Sequence, residues 1–114
     1  MKTIKLLVAL CALGLPIGAF ADGSASGTVS NLFVDASFSG VVYITLTSTK
    51  SGNPACSTST RGQFVIPITS AVDYPYMFNL ALNAQESGAT VTITGQGQCN
   101  VDNNVETIQN IKIG

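Results

Sequence analysis

Side chains able to do chemistry are few: the chain carries 5 Lys and Arg, 6 Asp and Glu, 3 Cys and no His. Without histidine, the usual general base and the commonest metal ligand are both missing. A carboxylate pair could still hydrolyse a glycosidic bond, drawing on Asp35, Asp73, Glu86, Asp102 and Glu106. Each has a simpler use. Asp73 is placed to cap a helix, Asp102 to form a turn and Asp35 to end a strand, while Glu86 and Glu106 are expected in solvent. No Gly-rich phosphate loop, nucleophile elbow or metal-ligand spacing is present. The oxygen-rich run at 100–104 (NVDNN) lacks the spacing of a calcium loop, and a turn between strands favours the same residues. The expectation is a non-catalytic protein with no cofactor and no metal.

The cysteines point to a compartment. Lys2 and Lys5 precede an apolar run at 6–20, which ends in Ala19-Phe20-Ala21 before Asp22. A charged start, a short apolar middle and small residues before a cut make a signal peptide. The run is shorter than the roughly 20 apolar residues that span a bilayer, and Gly14 and Pro16 interrupt it. Cleavage is expected after Ala21, leaving a secreted or periplasmic protein with no membrane span. Cys11 leaves with the leader, so Cys56 and Cys99 remain in an oxidising compartment and are expected to pair. Two thiols alone do not complete a zinc site. A bridge closing a loop of about forty residues stabilises by about 3 to 4 kcal/mol in the chain-entropy model.

Charge then narrows the partners. After the leader, Lys50, Arg61 and Lys112 stand against Asp22, Asp35, Asp73, Glu86, Asp102 and Glu106. Three scattered cations cannot neutralise a phosphate backbone or hold an anionic bilayer, so nucleic acid and membrane surfaces are excluded as partners. The polar surface must be built from Ser, Thr, Asn and Gln, which suits contact with carbohydrate.

The mature part, about 90 residues, is one domain. We divide the chain into the leader at 1–21, a small, polar and flexible start at 22–27, and a single domain at 28–114. Residues 28–35 have the apolar density of a strand. After a break at 37–40, residues 41–49 alternate cleanly, with Val42, Ile44 and Leu46 on one face and Tyr43, Thr45 and Thr47 on the other. Residues 48–62 are rich in turn formers and hold Cys56. A third strand at 63–69 turns Phe64, Ile66 and Ile68 inward, and Pro67 argues for a sheet edge. At 72–86 the period becomes helical through Met77, Leu80, Ala81 and Ala84, with Gly88 placed to end the helix. Residues 89–97 alternate again, Val91 and Ile93 inward. A last strand at 105–113 needs a bulge, because Ile108 and Ile111 break parity. The order β-β-β-α-β-β predicts a mainly β fold with one helix: a five-stranded, OB-fold-like Greek-key barrel, with a small open sheet packed on one helix as the alternative, since the order of elements does not say whether a barrel closes.

The Asn-Pro-Ala-Cys loop ending at Cys56 is followed by Leu80-Ala-Leu-Asn-Ala-Gln-Glu-Ser-Gly88, Val91-Thr-Ile-Thr-Gly-Gln-Gly-Gln-Cys99 and Glu106-Thr-Ile-Gln-Asn-Ile-Lys-Ile113. With these segments the chain resembles a group of small exported proteobacterial proteins similar to the B subunit of subtilase cytotoxin. The resemblance implies an OB-fold and, in the toxin branch, a pentamer that binds sialylated glycans to deliver an enzymatic A subunit. Three functions are therefore carried forward: a binding module for a glycan or an envelope protein, a self-assembling envelope protein forming a homo-oligomer, and a small periplasmic inhibitor. Lys50, Asn53 and Arg61 in the long loop, with Tyr43 on the outward face of its strand, are the candidate contact residues.

Overall fold

The computed structural model describes residues 22–36, 40–58, 61–68 and 73–114; the expected leader at 1–21 and the break at 37–39 lie outside them. Among the described residues five strands and one helix follow in the expected order: β1 (Ser24–Asp35), β2 (Val41–Thr49), β3 (Arg61–Pro67), α1 (Asp73–Ser87), β4 (Thr90–Gly95) and β5 (Ile108–Ile113). All neighbours in the sheet are antiparallel, and the strand order is β3-β2-β1-β4-β5.

The central strand is longer than its sequence suggests. Residues 24–27, expected within a flexible start, instead open β1, and Ser24 to Thr28 pair with Thr94 to Thr90 of β4. Small residues are there because the backbones pack closely: Ala25 is buried, and the Ser26 and Thr92 hydroxyls lie 2.8 Å apart. A register shift between Val29 and Asn31 then passes β1 from β4 to β2, and the Ser30 hydroxyl at the shift donates to the Thr45 carbonyl at 3.0 Å. A bulge bends and twists its strand, so one strand serves both halves of the sheet.

The remaining elements follow their patterns. β2 has its expected bounds, and β3, with Pro67, is a sheet edge as Pro67 required. Val42, Ile44, Leu46, Phe64, Ile66, Val91, Ile93 and Ile108 form the core with Ala81 and Ala84 of α1. Two alanines at helical spacing let α1 lie close to the sheet while Tyr74, Met77 and Phe78 pack around them. The helix ends where Gly88 takes a φ of 70° and Ala89 N–H donates to Ala84 O at 3.1 Å, a Schellman closure that a Cβ would strain. In β5, Gly95 faces Ile108 while Thr94 faces Asn110. Gln109 is therefore the extra residue, and the bulge puts Ile108 and Ile111 on the core side, as parity demanded.

The sheet does not close into the expected barrel. Between its edges run one parallel bridge, Val65 to Thr107, and one bond from Val65 N–H to Glu106 O at 3.0 Å. β5 starts only at Ile108 rather than at 105, because residues 96–107 are spent on turns and on the burial of Glu106. One disulfide, Cys56–Cys99, ties this stretch to the loop after β2 with Cα atoms 6.0 Å apart. Among the described residues no helix is long and apolar enough to cross a membrane.

Candidate functional site

Lys50 and Asn53, expected to project from a loop, turn inward. The Lys50 ammonium lies 3.1 Å from Glu106 Oε1, with 1% and 0% of the two side chains exposed, and sits 4.4 Å from the centre of the Phe64 ring. Asn53 accepts from Lys50 Nζ at 3.4 Å, and its Nδ2 donates to Ser57 O at 3.1 Å, which folds the loop onto itself. Glu106, expected in solvent, is wholly buried. Its Oε2 accepts Gly23 N–H at 3.0 Å and Gly97 N–H at 2.8 Å, so the carboxylate gathers the residues just ahead of β1, the turn after β4 and Lys50 at one point. A buried charge demands such saturation. A Cβ on Gly95 would lie 2.1 Å from the Glu106 carboxyl, and one on Gly23 2.2 Å from Oε1, so both must be glycine. Burial pushes the Lys50 ammonium below its usual range, partly offset by Glu106. Groups this enclosed cannot meet a substrate. The cluster holds structure, and the lone Glu in the final segment offered no sequence sign of it.

The outer face of the sheet is different. Tyr43 is there, as parity required, but it is buried rather than open. Val101 and Val105 fold over Val41, Tyr43 and Val65, making a second small cluster on the side away from α1. The Tyr43 hydroxyl donates to Asp102 Oδ2. Its pKa is pushed up to about 12, first by burial and then by the bond to the Asp102 carboxylate. Asp102 Oδ1 accepts Asn104 N–H at 2.8 Å, so the turn that covers Tyr43 is built around the same acid.

Beside this covered patch lies an open ledge. Phe33 pairs with Tyr43 across the strands, and the rings stack at 5.9 Å with 29° between their planes. Phe33 keeps 51% of its surface exposed. Asn31 and Asp35 share its face on β1; Thr45 on β2 and its partner Gln63 on β3 share it across the sheet. An exposed aromatic ring set among amide, hydroxyl and carboxylate groups can stack on an apolar sugar face while its neighbours bond the hydroxyls. Arg61, the fourth expected contact, is exposed at the start of β3, opposite Thr49. The structure therefore joins Lys50 with Asn53 in the interior, places Tyr43 under the ledge and leaves Arg61 at a strand end. Phe33 escaped the sequence reading, although the alternation Asn31, Phe33, Asp35 held the signal.

Two larger concavities lie elsewhere on the described residues. An apolar groove of about 390 Å³ runs between α1 and the sheet, lined by Val34, Val42, Ile66, Ile68, Tyr74 and Phe78 among others. Ile68, expected inward, is 51% exposed at its rim, because it lies just beyond the end of β3. An open cleft of about 400 Å³ with mixed polar and apolar walls lies at the disulfide. Among the described residues no cluster of three or more potential metal ligands occurs. No protein-family profile matches this chain, and comparisons with curated proteins and with solved structures likewise find no match.

Proposed function

We propose that this chain is an exported, non-catalytic binding module, built as an OB-fold-like open barrel, that recognises a glycan on the outer face of β1 to β3. The OB-like reading draws support from β1 shared between two halves of the sheet, α1 between β3 and β4, and the parallel bridge from Val65 to Thr107. OB-folds bind oligosaccharides on the face around β2 and β3, framed by the loops after β1 and β4. The single observation that carries the ligand reading is Phe33, half exposed on a polar face and backed by Tyr43. Resemblance to the toxin-B-like proteins points the same way.

A glycan array followed by titration calorimetry tests it. The mature chain is expected to bind at least one glycan, and Phe33→Ala to weaken that binding about tenfold, as loss of one stacking contact worth about 1 kcal/mol or more would. Binding to no glycan, or equal binding by the variant, refutes it.

Self-assembly is the second reading, favoured by β5. This strand is a sheet edge, bears one charge at Lys112, and leaves Ile113 46% exposed. Such an edge invites strand addition. Light scattering decides: a ring of several copies would add avidity to weak glycan sites, whereas a strict monomer removes the reading.

A further inference from the structure

The cleft at the disulfide is formed where Asp22, just ahead of β1, meets two loops held together by a covalent bond. Its walls are the apolar Pro54, Ala55 and Cys56 on one side, Gln96, Gly97 and Gln98 on the other, and Asp22 ahead of β1. The Cys56–Cys99 bridge clamps the two loops, so the walls are preorganised. Its volume, about 400 Å³, lies within the range of small-ligand pockets. Behind the wall, Glu106 fixes Gly23 and Gly97 by their N–H groups, and Gly95 N–H donates to Gly23 O at 2.8 Å. Asp22 is therefore one residue from a point anchored in the interior.

That position coincides with the expected cut. If the leader leaves after Ala21, Asp22 becomes the first residue, and its new α-ammonium stands beside its own carboxylate on the cleft. We propose that this cleft is a second ligand subsite, completed by removal of the leader, which takes a neutral, hydroxylated ligand such as a single sugar ring. The proposal rests on the exported, glycan-binding reading above. Charge argues for the ligand class. The α-ammonium and the Asp22 carboxylate balance, and Lys50 balances Glu106 behind the wall, so an anion finds no excess of positive charge. An apolar ligand would strip water from Asp22 without replacing it. Vicinal hydroxyls instead donate to the carboxylate and accept from the ammonium, with the Gln98 amide within the same wall.

Amide-resolved NMR of the oxidised chain 22–114, titrated separately with galactose and N-acetylglucosamine, tests this. At least one sugar is expected to shift Ala55, Gly97 and Gln98. Placing Gly-Ser before Asp22 is expected to weaken that binding about tenfold, the loss of one charge-assisted hydrogen bond. Should the extended chain fold poorly, acetylating the α-amine of the folded protein makes the same comparison. Equal affinity with a blocked or extended amine overturns the proposal, as does an absence of shifts at the cleft with both sugars. Shifts confined to Asn31, Phe33 and Thr45 overturn the cleft but keep the sheet-face reading; shifts confined to the cleft do the reverse.

Discussion

Asp102 and Glu106 lie on one short segment, and each accepts a bond from the region of β2: Asp102 from Tyr43, Glu106 from Lys50. One contact is on the outer face, part-buried beneath Val101 and Val105 and next to the ledge. The other is sealed, with its carboxylate saturated by an ammonium and two backbone N–H groups. The difference separates two uses of a polar pair. A sealed pair fixes how segments distant in sequence meet, because any partner left alone would be an uncompensated buried charge. A rim pair, a neutral hydroxyl bonded to a part-buried carboxylate, holds a surface in shape at smaller stakes, because losing one partner leaves no charge sealed away from water.

The largest effect should come from breaking the sealed pair. Lys50→Met leaves the Glu106 carboxylate buried without its counter-ion and is expected to destabilise by about 3 to 5 kcal/mol in chemical denaturation. The double variant Lys50→Met with Glu106→Leu should recover most of that loss, since no charge is then stranded. A double variant as unstable as the single one would show that the two backbone bonds to Glu106, not the charge pair, dominate.

Next comes the covalent link between the same regions. Cys56→Ser with Cys99→Ser is expected to cost about 2 to 4 kcal/mol, since the bridge closes a separation of 43 residues. The loss should appear as a shift of the denaturation midpoint relative to the oxidised chain.

The rim pair gives a smaller change with a pH signature. Tyr43→Phe is expected to cost about 1 kcal/mol near neutral pH. The folded state holds the Tyr43 proton up to about pH 12, whereas an ordinary tyrosine releases it near 10.0. In that window the unfolded state binds fewer protons, so the Tyr43 contribution is complete below pH 10.0 and is lost as pH rises towards 12. Lys50 acts in the opposite sense: its pKa is lowered from 10.5, so its linkage makes stability rise with pH below that value. Comparing wild type with Tyr43→Phe isolates the tyrosine. In ultraviolet titration of the folded protein, a late tyrosinate component near pH 12 should vanish in Tyr43→Phe; its persistence would refute the assignment.

The contrast also explains what the sequence revealed. Strand and helix positions follow from local period: Val42, Ile44 and Leu46 alternate into the core, Ala81 and Ala84 recur at helical spacing, and the parity break at Ile108 to Ile111 marks a real bulge. What local patterns cannot carry is a meeting of distant residues. Gly23, Lys50, Gly95, Gly97 and Glu106 look unremarkable separately, and only the fold makes them one site. For the same reason Lys50 read as an exposed contact and residues 24–27 as a flexible start. Tyr43 was assigned the correct face, but the cover from Val101 and Val105 depends on the path of a turn that no periodicity encodes.

Phe33 sharpens the comparison from the side of function. Its ring stacks on Tyr43 with half its surface in water, so Phe33→Ala removes the buried half of the ring and its stack but leaves the rim pair in place. Its stability change is expected to be about 1 kcal/mol, the scale of one aromatic pair and far below the loss of a core ring. A larger loss would make Phe33 part of the second cluster's packing and weaken the argument that its exposure serves a ligand. A loss no greater than that alongside lost glycan binding would separate the roles of the two neighbouring rings: Tyr43 as the support, Phe33 as the contact.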